Sequence, residues 1–301
     1  MRITPDQLLD RIQLKKQVNY WRIISIMLLL LIIVAFLDDS PLSNKLQVTE
    51  NSYIARISVN GTILQDLRRM QNIENLAKNS AVKGVVLHIN SPGGTVVGGQ
   101  SMYMAIKKLA AAKPVAVVMG DMATSAGYMM ALGGHYIVAY DCSVTGSIGV
   151  LSESFDVTDL AERIGIKFHH FKSSNVKGGP SPTEPLTPEM RQSMQDLIED
   201  IYTMFVAVVA KERKLPRADV MKIADGRAYT GRQALTLKLI DALGNEDTAV
   251  QWMCSKHELP SDIKVLDYRI DPHESRLDQI LNATAEFTKV ISSMAQLVFM
   301  K

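Results

Sequence analysis

A single serine, Ser125, stands between an apolar strand and a short helix in the stretch KPVAVVMGDMATSAGYMMALGG. The pattern predicts a buried strand from Val115 to Met119 and a helix from Gly127 to Leu132. A hydroxyl on such a turn faces the free N–H groups and the positive dipole end of the helix, which favour developing negative charge. Nucleophilic catalysis by Ser125 is therefore one interpretation. The other is a serine that only caps the helix, the usual role of serine in this position.

A glycine-rich loop, INSPGGTVVGGQ, follows another predicted strand. Pro92 stiffens the turn, and Gly93 and Gly94 allow the backbone to approach a ligand without interference from side chains. The loop lacks both the G-x-G-x-x-G register and the Gly-Lys-Ser/Thr ending, which argues against a phosphate loop. The N–H groups of Gly93 or Gly94 would suit an oxyanion hole beside Ser125. A plain flexible turn is the alternative.

A nucleophilic serine needs a base, and the histidines offer no clear one. His88 is flanked by strand residues, which predicts a core or sheet-edge position, and His169 and His170 in IKFHHFKSS are predicted to lie in a further strand. No aspartate or glutamate is placed to complete a triad with any histidine. The other known solution is a lysine that desolvation holds in its neutral form.

Strands and helices alternate from Tyr53 onward. YIARISVNG, VKGVVLHINS and PVAVVMG are predicted strands, and the two segments between them are predicted helices. This order predicts an α/β fold with a parallel sheet, in which ligands bind at the carboxyl ends of the strands. The glycine loop and Ser125 both fall at such ends.

Composition limits the function classes. With 301 residues, of which 47% are hydrophobic and 21% charged, the chain can bury one sizeable core or two small ones. The net charge of +2 and the lack of a Lys/Arg run with interleaved aromatic residues argue against a nucleic-acid partner. Cys142 and Cys254 form no C-x-x-C motif, so we expect unpaired packing residues and no metal or redox centre.

An uncharged apolar run, 23–37, follows several basic residues and precedes Asp38 and Asp39. The next residues offer no small-x-small cleavage site, so an uncleaved membrane anchor is favoured over a signal peptide. The positive-inside rule places the N-terminus in the cytoplasm and the residues after the anchor on the opposite side of the membrane. We expect this membrane to be the inner membrane of a bacterial-type cell, with the later residues on its periplasmic or extracytoplasmic side. We therefore expect a basic cytoplasmic segment at 1–22, an anchor at 23–37, a linker at 38–52, a folded domain at 53–270 and an amphipathic helical extension at 271–301.

Five motifs occur in a recognisable order: NSPGG, DMATSAGYMMALGG, VTGSIGV, FKSSNVKGGPSPTEPLTPEMR and ADGRAYTGRQALTLKLIDALG. Their sequence and spacing, from Tyr53 to about Gly244, resemble the signal peptide peptidase A family of serine proteases in its short, single-repeat, membrane-anchored form. The resemblance implies a ClpP/crotonase-like fold with repeated β-β-α units and a spiral sheet. It also implies a ring of protomers in which the catalytic serine and lysine come from adjacent chains, no cofactor, and the cleavage of residual signal peptides and other membrane-associated peptides.

The resemblance also implies roles for individual residues. Ser125 would be the nucleophile and Lys177 its general base, while the N–H groups of Gly94 and Ala126 would form the oxyanion hole beside Gly93. Ser147 would hydrogen-bond the lysine. These roles come from the motif alignment. Lys167 and Lys172 are also available as bases, and the motif register favours Lys177 over both.

This chain departs from the family pattern at Ala126 and Met129, where glycine and tyrosine are common, and at Gly178, where an acidic residue is usual. A crotonase-type acyl-CoA enzyme and a catalytically silent scaffold that binds peptides are the alternative functions. The first would need no nucleophile, and a membrane anchor argues against it.

Overall fold

The computed structural model describes residues 21–22, 24–27 and 52–271. Residues 21–22 and 24–27 are helical. Within the described residues, no helix is long and apolar enough to cross a membrane. The predicted anchor at 23–37, the linker at 38–52 and the extension at 271–301 fall almost wholly outside the described part of the chain.

The segment Ser52–Pro272 forms one compact unit around an eight-stranded sheet. The strands are β1 Tyr53–Asn60, β2 Val82–Ser91, β3 Val115–Thr124, β4 Tyr136–Ala139, β5 Val144–Gly146, β6 Ala228–Thr230, β7 Ala242–Leu243 and β8 Lys264–Asp267. Their order is β6-β5-β3-β2-β1-β8, and β4 pairs with both β3 and β7. The long strand β3 pairs with β4 along its first half and with β5 along its second half.

Helices cover the sheet. They are α1 Leu67–Lys78, α2 Val96–Ala112, α3 Ala126–Ala131, α4 Thr158–Arg163, α5 Pro188–Arg213, α6 Arg217–Ile223, α7 Gly231–Thr236 and α8 Glu246–His257. The β1-α1-β2-α2-β3 order confirms the predicted alternation. The sheet is parallel, as predicted, except where β5 meets β6, which are antiparallel.

Both faces of the central strands are buried, which explains their nearly continuous apolar sequences. In β2, Val85 and Leu87 join the larger core cluster, while Val86 joins the smaller cluster with Ala249 and Met253 of α8. Alternate residues of a strand point to opposite faces, so each apolar run supplies both cores.

His88 lies on β2 in the interior of the sheet, flanked by β1 and β3, so it is not a sheet-edge residue. It is half-buried, and its Nε2 atom lies 2.5 Å from a carboxylate oxygen of Glu246. Arg56 donates to both oxygens of the same carboxylate, at 2.6 and 2.7 Å. These hydrogen bonds, with that of Arg56 the larger influence, hold the pKa of Glu246 below its usual value. These contacts connect Glu246, the first residue of α8, to Arg56 on β1 and His88 on β2.

The predicted strand around His169 and His170 is wrong. This segment has no strand, and both side chains are exposed. Among the described residues, no strand pairs with this segment, although apolar and polar residues alternate in its sequence. His170 instead lies 3.1 Å from the carbonyl oxygen of Thr183.

The cysteines are free, as predicted. Cys142 is exposed, however, and is not a packing residue, whereas Cys254 is partly buried.

Candidate active site

Ser125 has an unusual backbone conformation at the junction of β3 and α3. Its φ is 52° and its ψ is −118°. A residue with a side chain in this region costs about 1–3 kcal/mol, so the surrounding structure must enforce it. The N–H of Ser125 donates to the carbonyl of Gly146 at 2.9 Å, which anchors the turn to β5. The hydroxyl makes no capping hydrogen bond to α3, so the interpretation of Ser125 as a simple cap is wrong.

Ala126 is the first residue of α3, where an N–H group has no acceptor within the helix. Among the described residues, this N–H donates to no other acceptor either. It follows the nucleophile candidate directly and is free to donate to a bound ligand.

The glycine loop offers one further donor. Gly93 has a φ of +117°, and its N–H donates to the hydroxyl of Ser91 at 3.1 Å. The loop is fixed to Ile63, whose N–H donates to Gly93 at 2.8 Å and whose carbonyl accepts from Thr95 at 3.0 Å. Within the described part of the chain, the N–H of Gly94 has no acceptor. Gly94, and not Gly93, therefore carries the available N–H group.

A cavity of about 660 Å³ collects the predicted residues Gly94, Ser125, Ala126 and Ser147. The other lining residues come from the glycine loop, α3, the segment after β5, α5 and the turn before β6: Pro92, Val96, Met129, Gly149, Val150, Leu151, Ile198, Glu199, Ile201, Tyr202, Phe205, Ala224, Asp225 and Gly226. Most of these side chains are apolar. The carboxylates of Glu199 and Asp225 are part of the lining as well, so the cavity has both apolar and polar walls.

Ser147 sits beside the nucleophile candidate in another left-handed conformation, with φ of 50°. Its N–H donates to the carbonyl of Arg227 at 2.9 Å, and Gly226 donates to Ile148 at 3.1 Å. The Arg227 guanidinium binds the carboxylate of Asp225 and holds the pKa of that carboxyl below its usual value. The turn before β6 thus fixes Ser147 at the cavity wall.

Lys177 is not among the residues that line this cavity. It is exposed and lies in a turn, where its N–H donates to Ser174 at 3.2 Å. Lys167 is exposed as well, and Lys172 is bound to Glu184. Among the described residues, the lining includes no lysine, histidine or arginine.

Exposed apolar side chains precede Lys177 in the segment between β5 and α5. They are Leu151, Phe155, Leu160, Ile164, Ile166, Phe168 and Phe171. Phe171 is 98% exposed. A cluster of this kind is typical of a surface that another protein covers.

Three parts of the site were not identified from the sequence: the supporting residues Ser91 and Thr124, and the α5 wall. Ser91 and Thr124 are adjacent in sequence to Pro92 and Ser125, which was the available signal. The apolar face of α5 was visible as helical periodicity, but periodicity does not reveal which surface a helix faces.

Substitution of Gly93 by alanine should disturb Ser125 directly. A Cβ atom at Gly93 would lie 2.9 Å from the Cβ of Ser125 and 3.2 Å from the carbonyl oxygen of Thr124. The control is Gly61→Ala, which has φ of +71° and no neighbour within 4 Å, so it isolates the conformational cost of about 1–2 kcal/mol. We expect Gly93→Ala to lower the free energy of unfolding, measured in urea, by more than Gly61→Ala. Equal losses would contradict the contact between the loop and the turn.

Two family models match this chain. The family model described as peptidase family S49 matches residues 107–259, and that of the Clp protease matches residues 54–140. The Clp protease match and the mixed sheet fit a ClpP/crotonase-like fold.

Similar proteins occur in several bacteria. A protein of Synechocystis sp. named as a candidate protease is 37% identical over 73% of this chain and 79% of its own length. A protein of Enterococcus faecium named as a candidate signal peptide peptidase SppA is 31% identical over 73% of this chain and 68% of its own. Protease 4 of Salmonella typhi is 36% identical over 65% of this chain, and the match spans 33% of that longer protein.

Proposed function

This chain belongs to peptidase family S49, and we propose that it is a serine endopeptidase in which Ser125 attacks the scissile carbonyl of a peptide. The observation that carries the proposal is the strained backbone of Ser125, which lines one cavity with Gly94 and Ala126 and whose hydroxyl makes no capping hydrogen bond. Strain at a residue with a free nucleophile is common at active sites.

The proposed reaction proceeds through an acyl-enzyme. The Oγ atom of Ser125 forms a bond to the carbonyl carbon as its proton passes to the base, and the carbonyl oxygen takes up negative charge. The N–H groups of Gly94 and Ala126 donate to that oxyanion. The protonated base then gives its proton to the leaving amine as the peptide bond breaks. Water, deprotonated by the same base, releases the acyl group and restores the hydroxyl.

We assign the role of base to Lys177 of an adjacent copy of the chain. Two observations support this assignment: the part of the chain that the structure describes places no basic residue in the cavity lining, and Lys177 lies in an exposed segment rich in exposed apolar side chains. An interface that buries this segment would remove water from the lysine and favour its neutral form. Ser147 would orient the amine. Head-to-tail contacts of this kind generate closed rings.

We further propose that the substrates are signal peptides and other membrane-associated peptides. The apolar cavity lining suits such segments, and the Enterococcus faecium relative is named for this activity. The apolar run at 23–37 would anchor the chain in the inner membrane, with the peptidase domain on the extracytoplasmic side and the N-terminus in the cytoplasm.

The substrate assignment is tested with the full-length chain in lipid vesicles that contain a synthetic signal peptide. We expect the signal peptide to be cut within its apolar segment, and a polar peptide of equal length to remain intact. Binding of the signal peptide without cleavage by any preparation would support the scaffold function instead. Cleavage of the polar peptide at an equal rate would contradict the proposed substrate class.

A further inference from the structure

Two buried hydroxyl groups hold the glycine loop: that of Ser91 bonds within the loop, and that of Thr124 bonds the loop to the strand end before Ser125. Ser91, which is 0% exposed, is the last residue of β2, and Thr124, which is 8% exposed, is the last residue of β3. Neither residue lines the cavity, so neither touches a bound substrate. Their side-chain hydrogen bonds all go to the glycine loop that carries Gly94, and Thr124 itself lies directly before Ser125 and Ala126.

Ser91 determines which N–H group of the loop is free. Its Oγ atom accepts from the N–H of Gly93 at 3.1 Å and donates to the carbonyl of the same residue at 3.2 Å. This pair of bonds turns the N–H of Gly93 inward and leaves that of Gly94 without an acceptor. Ser91 also packs against α3, because a Cβ atom built at Gly127 would lie 3.5 Å from the Cβ of Ser91.

Thr124 connects the loop to the nucleophile turn. Its Oγ1 atom donates to the carbonyl of Pro92 at 2.8 Å. Thr124, which precedes Ser125, is therefore hydrogen-bonded to Pro92, which precedes Gly93.

The strand pairing alone does not fix this geometry. Ile89 pairs with Met119, but the next pair along the ladder is Ser91 with Ala123, so β3 bulges between the two pairs. Beyond the bulge, the hydrogen bond from Thr124 links the loop to β3, and the hydrogen bonds of Ser91 fix the turn within the loop.

We propose that Ser91 and Thr124 are positioning residues of the oxyanion hole. Together they hold the N–H of Gly94 and that of Ala126 at the separation that a tetrahedral oxyanion requires. The inference rests on the proposed function, because it concerns how Ser125 chemistry is supported. Donors that are fixed before the reaction need no rearrangement in the transition state, and this is where their effect on the rate arises.

Two variants test the proposal, each with a matched control in the full-length chain. Ser91→Ala is compared with Ser143→Ala, because Ser143 is also buried, accepts from Tyr140 N–H at 3.1 Å and donates to the Gly120 carbonyl at 2.6 Å. Thr124→Val is compared with Thr145→Val, because Thr145 is buried and donates to the Ala123 carbonyl at 2.8 Å. The two variants of each comparison lose equivalent hydrogen bonds, but only Ser91→Ala and Thr124→Val lose bonds to the glycine loop.

The readouts are kcat and KM for a peptide ester, the inhibition constant of a peptide aldehyde, and thermal unfolding. Loss of an oxyanion donor commonly lowers kcat by about 10²–10³-fold, so displacement of one should cost about tenfold or more. We expect this loss in kcat for Ser91→Ala and Thr124→Val, with KM unchanged. The affinity for the aldehyde, which forms a tetrahedral adduct, should fall by a similar factor. The control variants should lower thermal stability by similar amounts and keep kcat.

The proposal is overturned if Ser91→Ala and Thr124→Val lose no more kcat than their controls. It is also overturned if KM changes in these variants or if their affinity for the aldehyde does not fall with kcat. If Ser91→Ala does not fold, Thr124→Val decides the matter alone. Failure of the proposed function is distinguishable, because the wild-type chain would then lack Ser125-dependent hydrolysis. Retention of that hydrolysis with undiminished kcat in Thr124→Val overturns the positioning role only.

Discussion

Replacement of Ser125 by alanine should lower kcat for peptide ester hydrolysis by about 10⁴-fold or more, since removal of a serine nucleophile has effects of that order in serine proteases. Ser125 lines one cavity with Gly94 and Ala126, directly precedes Ala126 and makes no capping hydrogen bond to α3. The measurement is the initial rate with a fluorogenic peptide ester, at substrate concentrations that separate kcat from KM.

The variant should remain folded. Alanine keeps the Cβ atom and therefore the same backbone strain at φ of 52°, and the main-chain bond to Gly146 is unaffected. Ser255→Ala is the matched control, because Ser255 is an exposed serine on α8 whose hydroxyl bonds only to the Trp252 carbonyl. Activity of Ser125→Ala within tenfold of wild type would mean that the nucleophile is another group.

Mixing two inactive variants should restore activity if the catalytic residues come from neighbouring copies. Ser125→Ala and Lys177→Ala should each be inactive alone. In a mixed ring, a copy with an intact Ser125 meets a neighbour with an intact Lys177 at about a quarter of the interfaces. Co-expression of the two variants with different affinity tags, followed by sequential purification, isolates the mixed assemblies for assay.

The control for this experiment is Lys167→Ala, an exposed lysine in the same segment, which should keep wild-type activity. Mixed assemblies that remain inactive would place the dyad within one chain or the base at another residue. Full activity of Lys177→Ala alone would exclude Lys177 as the base.

The order of strands and helices could be predicted because local sequence encodes it. The runs that form β1, β2 and β3 are largely apolar, and turn residues bound each of them. The strand ends brought the glycine loop and Ser125 together, as the topology of α/β sheets requires. Their separation in sequence was no obstacle, because parallel neighbours place their carboxyl ends side by side.

The geometry within the site could not be predicted in the same way. The left-handed conformation of Ser125 depends on the main-chain bond to Gly146 and on the packing of Gly93, which are long-range contacts. The choice between the N–H groups of Gly93 and Gly94 was open in the sequence, and the hydroxyl of Ser91 decides it. The cavity wall contributed by α5 depends on how a distant helix packs.

The segment between β5 and α5 shows a further limit. Its alternating apolar residues around His169 predicted a strand, yet the described residues provide no partner for one. Local sequence does not distinguish an alternation that forms a strand from one whose apolar side chains stay exposed outside any strand.

The most direct test of the central claim is to locate the residue that a serine-directed fluorophosphonate modifies in the full-length wild-type chain. After digestion, tandem mass spectrometry should find one adduct, on Oγ of Ser125, and labelling should be lost in Ser125→Ala and greatly slowed in Lys177→Ala. An adduct on another serine, or an unlabelled Ser125 in a preparation that hydrolyses peptides, would contradict the account.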